Sequence, residues 1–211
     1  MDHTASQLTD HAGVRVPPPL IYLVLFGLGL LLHQIVPFTI PPSFPARAAA
    51  LFFLGCYVLL FGWSYLLFRR AQTSIVPVKS SAALVVSGPY RLTRNPMYLS
   101  LLCVYVAVAL WFGVGWALIL VPLLVLAVQR LAIAKEERYL ERKFGDAYRD
   151  FVARVPRIRP SFANYTPGDT VQANVAIFTS HAKSVIWFPA AAGLIHLLSS
   201  QTLLPVWLRL P

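Results

Sequence analysis

Four apolar stretches, at residues 20–36, 46–68, 97–113 and 116–133, leave a chain of 211 residues few ways to fold. A helix that crosses a bilayer needs about 20 such residues, because hydrocarbon offers the backbone no hydrogen-bonding partners and the segment must satisfy its own. With 57% hydrophobic and only 12% charged residues, the chain lacks the polar side chains that would coat a soluble domain. The reading is an all-α, polytopic membrane helix bundle with four transmembrane helices. Residues 185–198 are apolar but short and carry Pro189 and His196, so an interfacial or re-entrant piece and a fifth span both stand. Gly113-Val114-Gly115 predicts a tight turn joining the last two spans as a helical hairpin.

The formal charge of +10 is unevenly placed. Arg69, Arg70, Lys79, Arg91 and Arg94 fall between the second and third spans, and nine more basic residues follow the fourth, from Arg130 to Arg159. The short connections on the other side hold only Arg47. The positive-inside rule then places both basic segments and the N-terminus in the cytoplasm. Anionic lipid headgroups account for this charge more simply than nucleic acid does, so membrane lipids are the expected partners. Cys56 and Cys103 lie inside spans, which predicts neither a disulfide framework nor a metal site. Residues 1–19 form a polar N-terminal segment without the pattern of a removable signal peptide.

Between spans two and three the backbone is irregular, with Pro77, the small residues Ser80 to Ala83, and Gly88-Pro89. Asn95-Pro96 then reads as a helix start: Asn is a favoured N-cap, and Pro at the first helical position gives up an N–H that has no intrahelical partner. The positive end of that helix faces the loop and suits a carboxylate or phosphate. After span four, residues 135–144 have a helical pattern in which Arg138 and Glu141 are spaced to pair. Gly145 ends this helix, and residues 146–154 form a second short one. Both basic segments lie at one membrane face and together enclose a pocket.

The residues Leu84-Val85, Gly88-Pro89-Tyr90 and Arg94-Asn95-Pro96-Met97-Tyr98, followed by Glu136-Glu137, Phe144-Gly145, Tyr148 and Val155-Pro156-Arg157, resemble the isoprenylcysteine carboxyl methyltransferase and phospholipid methyltransferase superfamily of membrane enzymes. The resemblance covers residues 46–160, within a membrane domain read as 20–160; residues 161–211 are a C-terminal extension without a functional reading. It implies S-adenosyl-L-methionine as methyl donor, bound on the cytosolic side of a tunnel open to lipid. The implied cofactor contacts are Ala82, Ala83, Leu84, Val85, Tyr90, Asn95, Pro96, Met97, Tyr98 and Glu136. The chemistry agrees: the helix start can take the donor's carboxylate, Glu136 or Glu137 its ammonium or ribose, and the faces of Tyr90 and Tyr98 its sulfonium. In-line transfer requires no metal.

Departures from the family pattern bear on the acceptor. Prenylcysteine enzymes carry His where this chain has Asn95, and Asn-Pro-Met-Tyr is nearer the phospholipid branch. The arginine that faces a prenylcysteine carboxylate aligns with Ala132, which leaves Arg130 as the nearest basic candidate for substrate binding. Glu137 and Tyr98 are the catalytic candidates, with Glu137 as base if burial raises its pKa. A carboxylate, a phospholipid amine and a thiol all stand as acceptors. Two other classes compete: an NADPH-dependent sterol-type reductase, whose 2′-phosphate the basic loops would hold, and a non-catalytic scaffold. His33 is either a polar lining of a substrate path or an interfacial residue, and Gly27 and Gly29 are expected to allow close helix packing.

Overall fold

The computed structural model describes residues 17–70 and 84–162. Ala82 and Ala83, the fifth-span candidate at 185–198 and most of the C-terminal extension lie outside the described residues.

All regular elements among the described residues are helical. Helix α1 is Pro18–Ile35 and α2 is Phe44–Arg70. Both are apolar on nearly every side, and two segments, Pro18–Ile35 and Phe44–Leu67, are long and apolar enough to cross a membrane. Their outer faces are what water would not tolerate. Leu20, Val24, Leu28, Leu31 and Ile35 form an exposed stripe on α1, and α2 exposes Leu51, Phe52, Val58, Leu59 and Leu66. Continuous apolar surface of this kind is solvated by lipid tails, not by water. The small buried residues Ala50 and Ser64 mark the opposite, inward side of α2.

Helix α3, Pro96–Trp111, has 16 residues, fewer than the 97–113 span expected. The expected single helix at 116–133 is also divided. It is a succession of α4 (Gly115–Ile119), α5 (Val121–Val128) and a π-helical turn at Gln129–Ile133, which runs on into α6 (Ala134–Phe144). Pro122, in the first turn of α5, has no N–H to donate backward, so the ladder breaks at Leu120. A π turn inserts an extra residue and rephases the side chains that follow. Buried Leu124, Val128 and Ala132 nevertheless keep one stripe against the core of Tyr22, Phe26, Leu101 and Tyr105. After Gly145, α7 (Asp146–Arg154) folds back along α6. Arg138 does not pair with Glu141: its Nε donates to the Ala134 carbonyl, and Glu141 lies 4.0 Å from Arg149.

At one end of the bundle the α1–α2 and α3–α4 connections meet in an isolated antiparallel bridge, Thr39 with Val114. Ile40 N–H donates to the Gly113 carbonyl at 2.9 Å and Gly115 N–H to that of Phe38 at 3.1 Å. The predicted turn is therefore present, with Gly113 at φ +70°. His33 serves this corner: its Nδ1 lies 3.2 Å from the Phe38 carbonyl oxygen and 3.3 Å from the Phe38 N–H, so it donates to the one or accepts from the other according to its tautomer.

The two glycines of α1 differ. A Cβ on Gly29 would lie 3.0 Å from the backbone of Ala117, whereas one on Gly27 would meet nothing within 4 Å. Close packing is a property of Gly29 alone. Gly29→Ala is expected to destabilise the bundle by about 1–3 kcal/mol through overpacking, and Gly27→Ala to be neutral. Thermal unfolding of the two variants in one detergent checks this; equal midpoints would refute the α1–α4 crossing.

Candidate active site

The other end of the bundle holds the two motif segments. A 3₁₀ turn at Gly88–Arg91 leads into α3, which begins with Pro96 at its first turn as predicted. Asn95 occupies the N-cap position but makes no side-chain capping bond. Its Nδ2 instead donates to the Arg157 carbonyl at 2.9 Å, and the Thr93 hydroxyl donates to the same oxygen at 3.0 Å. Arg94 N–H bonds the Pro156 carbonyl and Ser161 N–H the Leu92 carbonyl, each at 2.9 Å. Residues 155–161 thus strap the second motif onto the first. Asn95 earns its place by joining them.

Between the segments lies a cleft of about 600 Å³, its open mouth included. Leu84, Val85, Leu140 and Phe151 make its apolar walls, and Tyr90, Asn95, Met97, Tyr98 and Glu136 line it as well. Of the residues implied for the cofactor, the described ones converge here except Pro96, which is buried at the start of α3 and does not face the opening. Leu140 and Phe151 were not named from the sequence, and Tyr148 was named only as part of the second motif, without a place in the site. Their signal was the spacing of large apolar residues on α6 and α7, which close the cleft through contacts of Tyr148, Phe151 and Val155 with Leu84.

Glu136 is the chemical centre of the cleft. It is 6% exposed and accepts a hydrogen bond of 2.7 Å from the Tyr98 hydroxyl. Tyr22 in turn donates to the Tyr98 backbone carbonyl at 2.9 Å, which ties α1 to the site. Burial pushes the Glu136 carboxyl up to about 8, with the nearby Glu137 charge adding to the rise and the Tyr98 bond opposing it. Tyr90 and Tyr148 are held above the ordinary tyrosine range, chiefly by burial, and so stay neutral at physiological pH.

Two expectations change on this geometry. Glu137, the expected base, borders the cleft but is clasped by arginines: Arg94 Nη2 is 3.3 Å from its Oε1, and Arg157 donates to Oε2. Both of its oxygens thus face guanidinium groups, an arrangement that fits a structural ion pair better than a base. Arg130, the candidate for substrate, sits in the π turn, is exposed and does not line the cleft. Ala132, which aligns with the family's arginine, is fully buried in the helix core. No group of His, Cys, Asp and Glu suited to a metal ion occurs among the described residues.

The described residues thus build an apolar helical bundle, with two helices long and apolar enough to cross a membrane and one buried carboxyl in a cleft at its end. The sequence pattern of the phospholipid methyltransferase family matches residues 45–147, which take in the first motif and the Glu136 to Gly145 part of the second, and the chain belongs to this family, within the isoprenylcysteine carboxyl methyltransferase-like superfamily. A relative from Haemophilus influenzae, described as an uncharacterized protein, is 46% identical over 61 residues, which are 29% of this chain and 97% of that protein. No solved structure matches the chain.

Proposed function

We propose that the chain is an integral membrane methyltransferase that uses S-adenosyl-L-methionine to methylate a lipophilic acceptor, with its cleft on the cytoplasmic side. The observation that supports this best is the Glu136–Tyr98 pair inside an apolar, tyrosine-lined cleft. The donor is a cation with an aromatic base at one end, and the cleft offers a buried carboxyl, ring faces and apolar walls to it. When bound, this cofactor supplies an activated methyl group.

The chain's own residues divide the work as follows. Glu136 receives the ammonium, and the Tyr98 hydroxyl fixes the orientation of its carboxyl. The positive end of α3, at Asn95 to Tyr98, faces the donor's carboxylate. Tyr90 and Tyr98 present neutral rings toward the sulfonium, and Leu84, Val85 and Phe151 exclude water from the base. Holding donor and acceptor in line supplies much of the rate acceleration, up to roughly 7–11 kcal/mol in the most favourable oriented reactions. Arg130 lies outside the cleft and Ala132 is buried, so neither of these two positions offers an arginine to a prenylcysteine carboxylate.

Calorimetry of S-adenosylhomocysteine and of NADPH against the protein in nanodiscs tests the reading, followed by transfer of labelled methyl to lipid extracts. Micromolar binding of S-adenosylhomocysteine and label in the organic phase are expected. Binding of NADPH alone would overturn the assignment in favour of a reductase, and binding of neither in favour of a scaffold.

A further inference from the structure

Behind the cofactor cleft, across the wall formed by Arg94 and Glu137, lies a second groove of about 760 Å³, its mouth included. Arg94, Arg138, Arg149 and Arg157 face it, against Glu137 and Glu141. The pairing within it is unequal. Glu137 is shared between Arg94 and Arg157, while Arg149 is engaged by Asp146 at 2.6 Å and stands 4.0 Å from Glu141. Arg138 has no carboxylate partner among the described residues and spends only its Nε, on a backbone carbonyl. Most telling is Arg94, whose side chain is 10% exposed and whose Nε is buried with no hydrogen-bond acceptor, although Oε1 of Glu137, 3.3 Å from its Nη2, is likewise buried without a hydrogen bond. A buried, charged donor left unmade is costly and finds its natural relief in an anion.

The geometry points to a phosphate-binding groove on the far side of the Glu137 wall, built from Arg94, Arg138, Arg149 and Arg157. Planar guanidinium groups match phosphate oxygens in paired bonds, and four of them converge on one opening. The phosphate is either part of a lipid headgroup, since α6 and α7 lie at the end of the bundle where the basic segments meet the membrane surface, or a free phosphate group. Four of the six residues, Arg138, Glu141, Arg149 and Arg157, do not line the cofactor cleft, which shares only Arg94 and Glu137 of them, so the groove does not depend on the methyltransferase reading.

The test is calorimetry on the full chain in phosphatidylcholine nanodiscs, titrated separately with inorganic phosphate and with dihexanoyl phosphatidic acid. The comparison is an Arg138→Gln/Arg149→Gln double variant, both positions being exposed. Saturable binding of at least one probe is expected, weakened about tenfold or more in the double variant through loss of charge-assisted bonds. Tenfold tighter binding of the lipid than of inorganic phosphate assigns the groove to a headgroup; equal binding assigns it to a free phosphate. Binding of neither probe, or equal binding by wild type and variant, overturns the proposal. An unchanged unfolding temperature and unchanged S-adenosylhomocysteine affinity in the variant separate failure of the groove from failure of the fold or the donor site.

Discussion

Glu136→Gln is expected to weaken S-adenosylhomocysteine binding about 10- to 150-fold, the equivalent of losing a charge-assisted hydrogen bond of roughly 1.5–3 kcal/mol. It is also expected to abolish a proton release that the wild type makes on binding. The carboxyl is pushed up to about 8 by burial first and by Glu137 second, so it is mostly protonated in the empty cleft at pH 7. An ammonium brought beside it favours the ionised form, and the proton leaves, about one per ligand at pH 7. The dependence of the binding enthalpy on the ionisation enthalpy of the buffer measures that number directly. No release by the wild type would mean that the ligand's cation sits elsewhere.

The same shift carries a stability signature with a definite sign. The folded-state pKa lies above the ordinary value of 4.5, so the folded protein holds the proton more tightly than the unfolded chain. The stability linked to this group is complete below pH 4.5, declines as pH rises toward about 8, and is constant beyond. The wild type should therefore lose a few kcal/mol more than Glu136→Gln across that window, on the order set by linkage. Parallel unfolding curves for the two proteins between pH 5 and pH 8 would show that Glu136 is not buried as described.

Much of this site is legible in the sequence, because local chemistry dictates it. Asn95-Pro96 starts α3, Gly113 turns the hairpin end and Gly145 separates α6 from α7, each for reasons of backbone geometry alone. What local reasoning misses depends on rotation and on distant partners. Glu136 and Glu137 are neighbours on a helix, about 100° apart around its axis, and which of them is buried beside Tyr98 and which lies at the rim with the arginines depends on the phase set upstream. The π turn at Gln129–Ile133 resets that phase, and no composition signal announces it. It also contains Arg130, which is exposed although it is the nearest basic residue in sequence. The Asn95 side chain illustrates the second limit. Its partner, the Arg157 carbonyl, lies 62 residues away, so the strap that joins the motifs is invisible to a reading of either motif alone.

Gly113→Val is expected to cost about 3–4 kcal/mol, combining a left-handed backbone that a β-branched residue resists with a clash that has no easy relief. At φ +70° a Cβ would stand 2.6 Å from the Ile40 carbonyl oxygen, which is backbone and cannot rotate away. Moving Ile40 would break its N–H bond to Gly113, and with it the bridge that holds the α1–α2 connection to the α3–α4 turn. For a domain of this size the loss corresponds to a fall of roughly 6–16 °C in unfolding temperature. Gly113 lies at the opposite end of α3 from Asn95, so S-adenosylhomocysteine affinity measured well below the transition should stay within about twofold of wild type. That combination separates a role in holding the bundle together from a role in the site. A midpoint within 2 °C of wild type would mean that the connections are not bridged, whereas lost affinity in a protein that is still folded would mean that strain at this turn travels the length of α3 to the cleft.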